Sequence, residues 1–218
     1  MKNSVTQRLV ISAAAAALFA GSLTACIPLM MGGAAVGGTM IVNDRRTSGA
    51  QLEDEGIELR GSSRIRSNFG DRVHVNVNSY NRQVLLTGEV PTAQDKAVVE
   101  QIISRVENVS SVVNELAIMS SPGLTQRSND VLTTGRVKAM LVDSKDLFAN
   151  SFHVVTERGV VYLMGRVTQR EADRSTAVAQ STPGVQKVVR IFEIISEEEL
   201  ARQLPAPVKS PAAKPDAN

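Results

Sequence analysis

Val84-Leu85-Leu86-Thr87-Gly88-Glu89-Val90 and Val161-Tyr162-Leu163-Met164-Gly165-Arg166-Val167 are one pattern written twice, 77 residues apart. The match extends upstream, where Val75 and Val77 correspond to Phe152 and Val154 at the same offset. Downstream, Val109-Ser110-Ser111-Val112-Val113 corresponds to Val185-Gln186-Lys187-Val188-Val189 at an offset of 76. A period of about 75 residues exceeds that of solenoid repeats and is long enough to enclose a small core, so it signals a duplicated domain.

Each copy follows the same order. A helical stretch comes first, then an alternating strand (Val73, Val75, Val77; Phe152, Val154). A polar turn follows (Ser79-Tyr80-Asn81-Arg82; Glu157-Arg158-Gly159), then a second strand. Gly88 and Gly165 are expected to mark the point where the chain leaves that strand, through backbone freedom or close approach. The second helix carries Val99, Ile102, Ile103 and Val106 in the first copy and a thinner stripe, Val178 and Ala179, in the second. A last strand is expected over residues 109–118 and 185–195. The order αββαβ predicts an α+β fold: two tandem domains, each a three-stranded sheet with two helices on one face. The boundaries read as 52–119 and 130–196, with a linker at 120–129.

The flanks have different grammar. Residues 1–25 carry Lys2 and Arg8 and then an apolar run, residues 9–20, too short to span a membrane and laid out as a secretory signal. Leu23-Thr24-Ala25-Cys26 follows and resembles the bacterial lipobox, in which Cys26 is acylated and becomes the new N-terminus. Cys26 is the only cysteine; an ordinary secretory peptide with an incidental cysteine is the alternative. More than one acyl chain suffices for stable anchoring. Ile27, where Asp would resemble an inner-membrane retention signal, favours the outer membrane. Residues 26–51 read as a tether: a Gly-, Ala- and Met-rich spacer or short packing segment over 27–42, then a polar linker over 43–51. Residues 197–218 read as a tail. Glu197-Glu198-Glu199 opens it as a solvated helical extension, and four of the eight prolines lie from Pro205 onward, a composition that cannot offset its ordering entropy.

Composition narrows the function. Aromatic content of 3% argues against stacking platforms for single-stranded nucleic acid, and a net charge of +2 argues against a generic polyanion binder. A single cysteine rules out a disulfide framework. His74 and His153 are the only histidines, and neither has a second ligand at a metal-binding spacing. There is no G-x-S-x-G elbow, P-loop or dinucleotide fingerprint, so no cofactor and no metal are expected, while composition leaves a Ser-His-Asp set open. Arg60, Arg64 and Arg66 form a second basic surface on the first helix.

The duplicated grammar resembles the BON domain. The resemblance rests on the strand-Gly-x-Val step (Leu86-Thr87-Gly88-Glu89-Val90; Leu163-Met164-Gly165-Arg166-Val167) and on the V-x-x-V-V close at Val109 and Val185. Ile57-Glu58-Leu59-Arg60, Ser128-Asn129-Asp130 and Thr182-Pro183-Gly184-Val185-Gln186-Lys187-Val188 add to it. Two such units behind a lipobox resemble the dual-BON outer-membrane lipoproteins of proteobacteria, over residues 52–196. The resemblance implies a non-enzymatic role: binding of anionic phospholipid (phosphatidylglycerol, cardiolipin), support of envelope integrity, presence at the division site, and a periplasmic-face location at the outer membrane. It places the lipid surface on the first helix of the second unit, here residues 130–142.

Those residues can be read independently. Asp130 is expected to be the N-cap. Val137 and Leu141, with Met140 beside them, are expected to face the sheet. Another face carries Leu132, Arg136 and Ala139, with Val131, Gly135, Lys138 and Val142 adjoining: an apolar tip with two nearby cations, suited to shallow insertion among headgroups. Each cation near an anionic surface contributes about 1 kcal/mol, so two orient a tethered protein rather than hold a free one. An aromatic commonly stands in the family where Leu132 stands here, which implies weaker or differently pitched insertion. Asp130 and Asp143 are expected to flank the patch. The alternative function is a periplasmic adaptor that binds the outer-membrane assembly machinery.

Overall fold

Each domain is built on a two-residue hairpin. In the computed structural model, which describes residues 44–119 and 124–203, Asn81 and Arg82 have φ of 48° and 68°, and Arg158 and Gly159 have φ of 50° and 73°. Consecutive positive φ values close a turn whose twist matches that of the flanking strands.

In domain 1, α1 (Ser48–Phe69) leads into β1 (His74–Tyr80), which pairs antiparallel with β2 (Gln83–Val90), Tyr80 opposite Gln83. α2 (Ala93–Ser104) crosses over to β3 (Ser111–Asn114) and β4 (Ala117–Ile118), both parallel to β2. In domain 2, α3 (Leu124–Asp143) precedes β5 (His153–Glu157) and β6 (Val160–Val167); α4 (Gln169–Gln180) leads to β7 (Lys187–Ile194), and α5 (Glu197–Gln203) follows. β5 is antiparallel and β7 parallel to β6. The expected αββαβ order holds in both domains.

The last strand differs between them. Residues 109–118 were expected to form one strand, but β3 and β4 are separate, whereas β7 pairs without interruption along all of β6. The break lies opposite Gly88, whose φ of 110° turns β2 out of regular extended geometry; Gly165 has no such value. Both glycines lie inside their strands rather than at the exit. The close approach is real: a Cβ on Gly88 would overlap the carbonyl oxygen of His74, and one on Gly165 that of Ser151.

Each sheet buries one face under its helices. Ile57, Ile65, Val99 and Ile103 pack on Val77, Val84, Leu86 and Val90 in domain 1. Val137, Leu141, Ala172 and Val178 pack on Val154, Val161, Leu163 and Val167 in domain 2. The opposite faces meet each other: Tyr80 and Leu85 form one cluster with Tyr162, Met164 and Ile191. Strand alternation sends Leu85 and Leu86 to different cores, which is why β2 is buried along nearly its whole length. Each fully buried side chain of this size stabilises by roughly 1.5–3 kcal/mol.

Several boundaries differ from the sequence reading. The tether was expected to run to residue 51, but α1 starts at Ser48, with Thr47 Oγ1 accepting from the amide of Ala50 at 3.1 Å. The linker expected at 120–129 is helical from Leu124. Glu197–Gln203 is a helix, as expected, but it is fastened to the domain. Leu200 is buried, and Arg166 donates to Glu199 at 2.8 Å. The signal segment, Cys26 and the spacer, and the tail beyond residue 203, lie outside the described residues.

Candidate functional site

α3 divides by helical periodicity into an inner and an outer face. Val137 and Leu141 are buried against the sheet, as expected, together with Thr133. Met140, expected beside them, is exposed because it falls at the margin of the stripe. Asp130 is not an N-cap: it lies a full turn and more inside the helix and is buried. Its carboxylate accepts from the amides of Arg158 at 2.9 Å and Gly159 at 2.8 Å. Though buried, it lines the cleft that Leu132 and Arg136 also line, so it flanks the outer face from within. Asp143, at the C-terminal end, does lie in solvent.

All seven expected contact residues are exposed. Val131, Leu132 and Val142 are exposed to 71%, 56% and 70%. At about 100° per residue, Val131, Val142, Gly135, Ala139 and Leu132 occupy one continuous arc of roughly 100°. Lys138 borders this arc on one side and Arg136 on the other. Neither cation forms an ion pair with an acidic side chain among the described residues. The sister domain covers none of the seven.

Clefts adjoin both borders. A cleft of about 220 Å³ beside Leu132 is lined by Gln126, Asn129, Asp130, Thr133, Arg136 and Gln186. There the guanidinium of Arg136 lies close to the backbone at Gly184. A second, of about 430 Å³, is lined by Asp44, Lys138, Val142, Ala149, Asn150 and Phe152. Nearby, His153 is held below its ordinary pKa, first by burial and then by the positive charge of Lys138.

The first helix of domain 1 also exposes apolar side chains, Leu52 and Leu59, but its cations are largely paired. Arg60 donates to Glu53 at 2.6 Å and Arg64 to Glu107 at 2.8 Å, so two of the three arginines expected to form a basic surface are neutralised. Arg66 stays exposed.

Sequence reasoning missed the charged groups that join the domains. Glu89 of β2 is fully buried and takes His74 Nδ1 at 2.9 Å and the guanidinium of Arg158 from domain 2. Asn76 donates to Glu157 across the same boundary at 3.1 Å. Burial, and then the charge of Glu89, push the Glu157 carboxyl above its ordinary range. Arg45, read as linker, is buried against Glu171. Only the helix-capping role of Glu171 had a sequence signal, the Thr168-x-x-Glu171 spacing. No cluster of metal-ligating residues and no helix long and apolar enough to cross a membrane occurs among the described residues.

Comparison with known proteins gives a consistent picture. The BON domain model matches residues 58–119 and 129–195. The chain is 34% identical over 176 residues to the Outer membrane lipoprotein DolP of Haemophilus influenzae, covering 79% of this chain and 90% of that protein. It is 29% identical over 154 residues to the 21 kDa hemolysin of Actinobacillus pleuropneumoniae, covering 70% of this chain and 79% of that one. It is 27% identical over 117 residues to the Osmotically-inducible protein Y of Escherichia coli, covering 52% and 58%.

Proposed function

The chain belongs to the BON-domain family, in the two-domain form of DolP, and from that premise we propose that it is a non-enzymatic outer-membrane lipoprotein that binds anionic phospholipid through α3. The observation that carries this reading is the outer face of α3: an exposed apolar arc bordered by two cations with no acidic partner. Apolar side chains enter the headgroup boundary while the bordering cations stay at the phosphates. The likeness to a relative that is by name an outer membrane lipoprotein supports the location, and the Leu23-Thr24-Ala25-Cys26 sequence supports the anchor.

Magnitudes assign the roles. Arg136 and Lys138 contribute about 1 kcal/mol each at an anionic surface, and partial burial of Leu132, Val131 and Val142 adds a few kcal/mol at most. The face alone binds weakly. Acylation of Cys26 holds it at high local concentration, so weak contact becomes steady occupancy. The cleft beside Arg136 offers hydroxyl and amide groups to a phosphoglycerol headgroup, and the one carboxylate in its lining, Asp130, is engaged by the amides of Arg158 and Gly159.

Flotation of residues 44–218 with vesicles tests the reading. Binding to phosphatidylglycerol or cardiolipin vesicles that weakens with salt, and little binding to phosphatidylcholine, is the expected result. Equal, negligible flotation with all three lipids would overturn it and favour an adaptor for the outer-membrane assembly machinery.

A further inference from the structure

Three consecutive residues in the segment read as a tether make a built contact with both domains. The side chain of Arg45 is 2% exposed, and its two terminal nitrogens lie 2.7 Å from the two oxygens of the fully buried Glu171. Arg45 Nη1 also donates to the carbonyl of Arg166 at 2.9 Å. Both partners belong to domain 2. Arg46 turns to domain 1: it donates to Asp54 of α1 at 2.8 Å, and its guanidinium lies 4.3 Å from the centre of the Tyr80 ring. Asp44 accepts from Arg46 at 2.8 Å and lines the cleft beside Lys138 and Val142 of α3.

A passive connector has no use for such a pair. Removing two charges from water is costly unless the geometry is good, and the two-pronged arginine–carboxylate arrangement supplies that geometry, although Arg45 Nε is buried without a hydrogen-bond partner. Burial alone would push the Glu171 carboxyl up. The bonds from Arg45 and from the Thr168 amide outweigh it and hold the group below its ordinary range. α1 does not need the pair to start, because Thr47 caps it. Without Arg45, the first held residue would be Arg46, on domain 1. With it, Asp44, the first of the described residues, is held next to the outer face of α3.

We infer that Arg45 and Glu171 form a clasp that fixes the exit of the N-terminal tether beside α3, so that a chain held at a membrane by its N-terminal segment presents α3 to the headgroups. The last clause rests on the lipid-binding reading of α3. Cys26 and Asp44 are eighteen positions apart in the sequence, a reach of at most roughly 65 Å when fully extended. Over so short a tether, the exit point decides which surface samples the bilayer most often. Arg45 and Glu171 are positioning residues; neither belongs to the lipid face.

The test has two arms and one main variant, Arg45→Met/Glu171→Gln, which removes the pair without stranding a buried charge and leaves an acceptor for the Thr168 amide. Arg45→Lys, which keeps the charge but loses the two-pronged geometry, serves if the double variant does not fold. In the first arm a nitroxide is placed at Val42→Cys in a Cys26→Ser background, without lipid. Amides of residues 138–142 should relax at least threefold faster with the clasp than without it; equal enhancement would overturn the inference. In the second arm the chain from Cys26 onward, which keeps both cores, is coupled through that thiol to a maleimide lipid in phosphatidylglycerol-containing vesicles. Amide exchange in α3 should slow on these vesicles, and the slowing should be at least fivefold smaller in the variant. Unanchored, the two proteins should float equally. Equal slowing in both anchored proteins, or a loss of unanchored flotation in the variant, would contradict the clasp's role in presentation. If α3 gains no protection even with the clasp intact, the lipid-face reading fails, and the first arm still decides where the tether exits.

Discussion

Asp130 does for the second domain what Asp54 does for the first: each is a buried helix carboxylate that accepts from both amides of its domain's hairpin turn. Asp54 takes the amides of Asn81 and Arg82, each at 2.8 Å, and Asp130 those of Arg158 and Gly159. The pairing locks the first helix to the hairpin tip. In domain 2 it also turns the Asp130 carboxylate inward, while Asp143 stays exposed at the far end of α3. Hydrogen bonds to a charged group contribute about 1.5–3 kcal/mol each, and loss of the acceptor leaves the Gly159 amide buried and unpaired. Asp130→Ala should therefore cost about 3–5 kcal/mol in urea unfolding.

The strand glycines are set by close backbone approach, so neither admits a side chain. Ala at Gly165 would press on the Ser151 carbonyl; Ala at Gly88 would press on that of His74 and also face a positive φ. Gly88→Ala and Gly165→Ala should each destabilise by at least about 2 kcal/mol, with Gly88→Ala the worse of the two. Thermal melts of both variants check the order.

What the sequence made legible was local or periodic. The duplication, the alternating strands, the glycine step and the inner stripe of Val137 and Leu141 all follow from spacing, and spacing survives folding. Partners distant in sequence were not legible. The cap reading of Asp130 assumed a helix start at that residue, but the helix begins upstream, and the amides it serves lie 28 and 29 residues away. Asp44-Arg45-Arg46 reads as solvated by composition; only the fold brings Glu171, 126 residues on, to Arg45. The exposed residues of α3 were legible as a face because helical periodicity alone separates them from the core.

Leu85 and Tyr162 join the two sheets, so the domains should not unfold independently. Leu85→Ala removes a fully buried side chain from the shared cluster and should cost about 2–4 kcal/mol. Intact, the protein should show one transition whether followed at Tyr80 in domain 1 or Tyr162 in domain 2. Two separated transitions by amide exchange or NMR would show that the cluster does not couple them.

Glu157 makes the interface sensitive to pH. Burial and the neighbouring Glu89 raise its folded-state pKa, so the protonated form is favoured on folding. The resulting stabilisation is fully present below the unfolded-state carboxyl pKa and is lost as pH rises through the raised value. Glu157→Gln keeps an acceptor for Asn76 and removes the buried charge. It should raise the melting temperature at pH 8, with the gain shrinking towards pH 4. Glu171 has the opposite sign: its lowered pKa gives a stabilisation present above the unfolded-state value and lost as pH falls through the depressed one.

The central claim is that the outer face of α3 meets anionic headgroups, and charge reversal within that face tests it most directly. Leu132 and Arg136 are exposed and contribute nothing to the core, so Leu132→Glu and Arg136→Glu should each fold with an unchanged melting temperature to within about 2 °C. Flotation of residues 44–218 carrying either substitution, on phosphatidylglycerol vesicles at low salt, is the deciding measurement. Loss of at least tenfold in vesicle affinity for each, with the fold intact, is the expected result; flotation equal to that of the unsubstituted protein in both would contradict the claim.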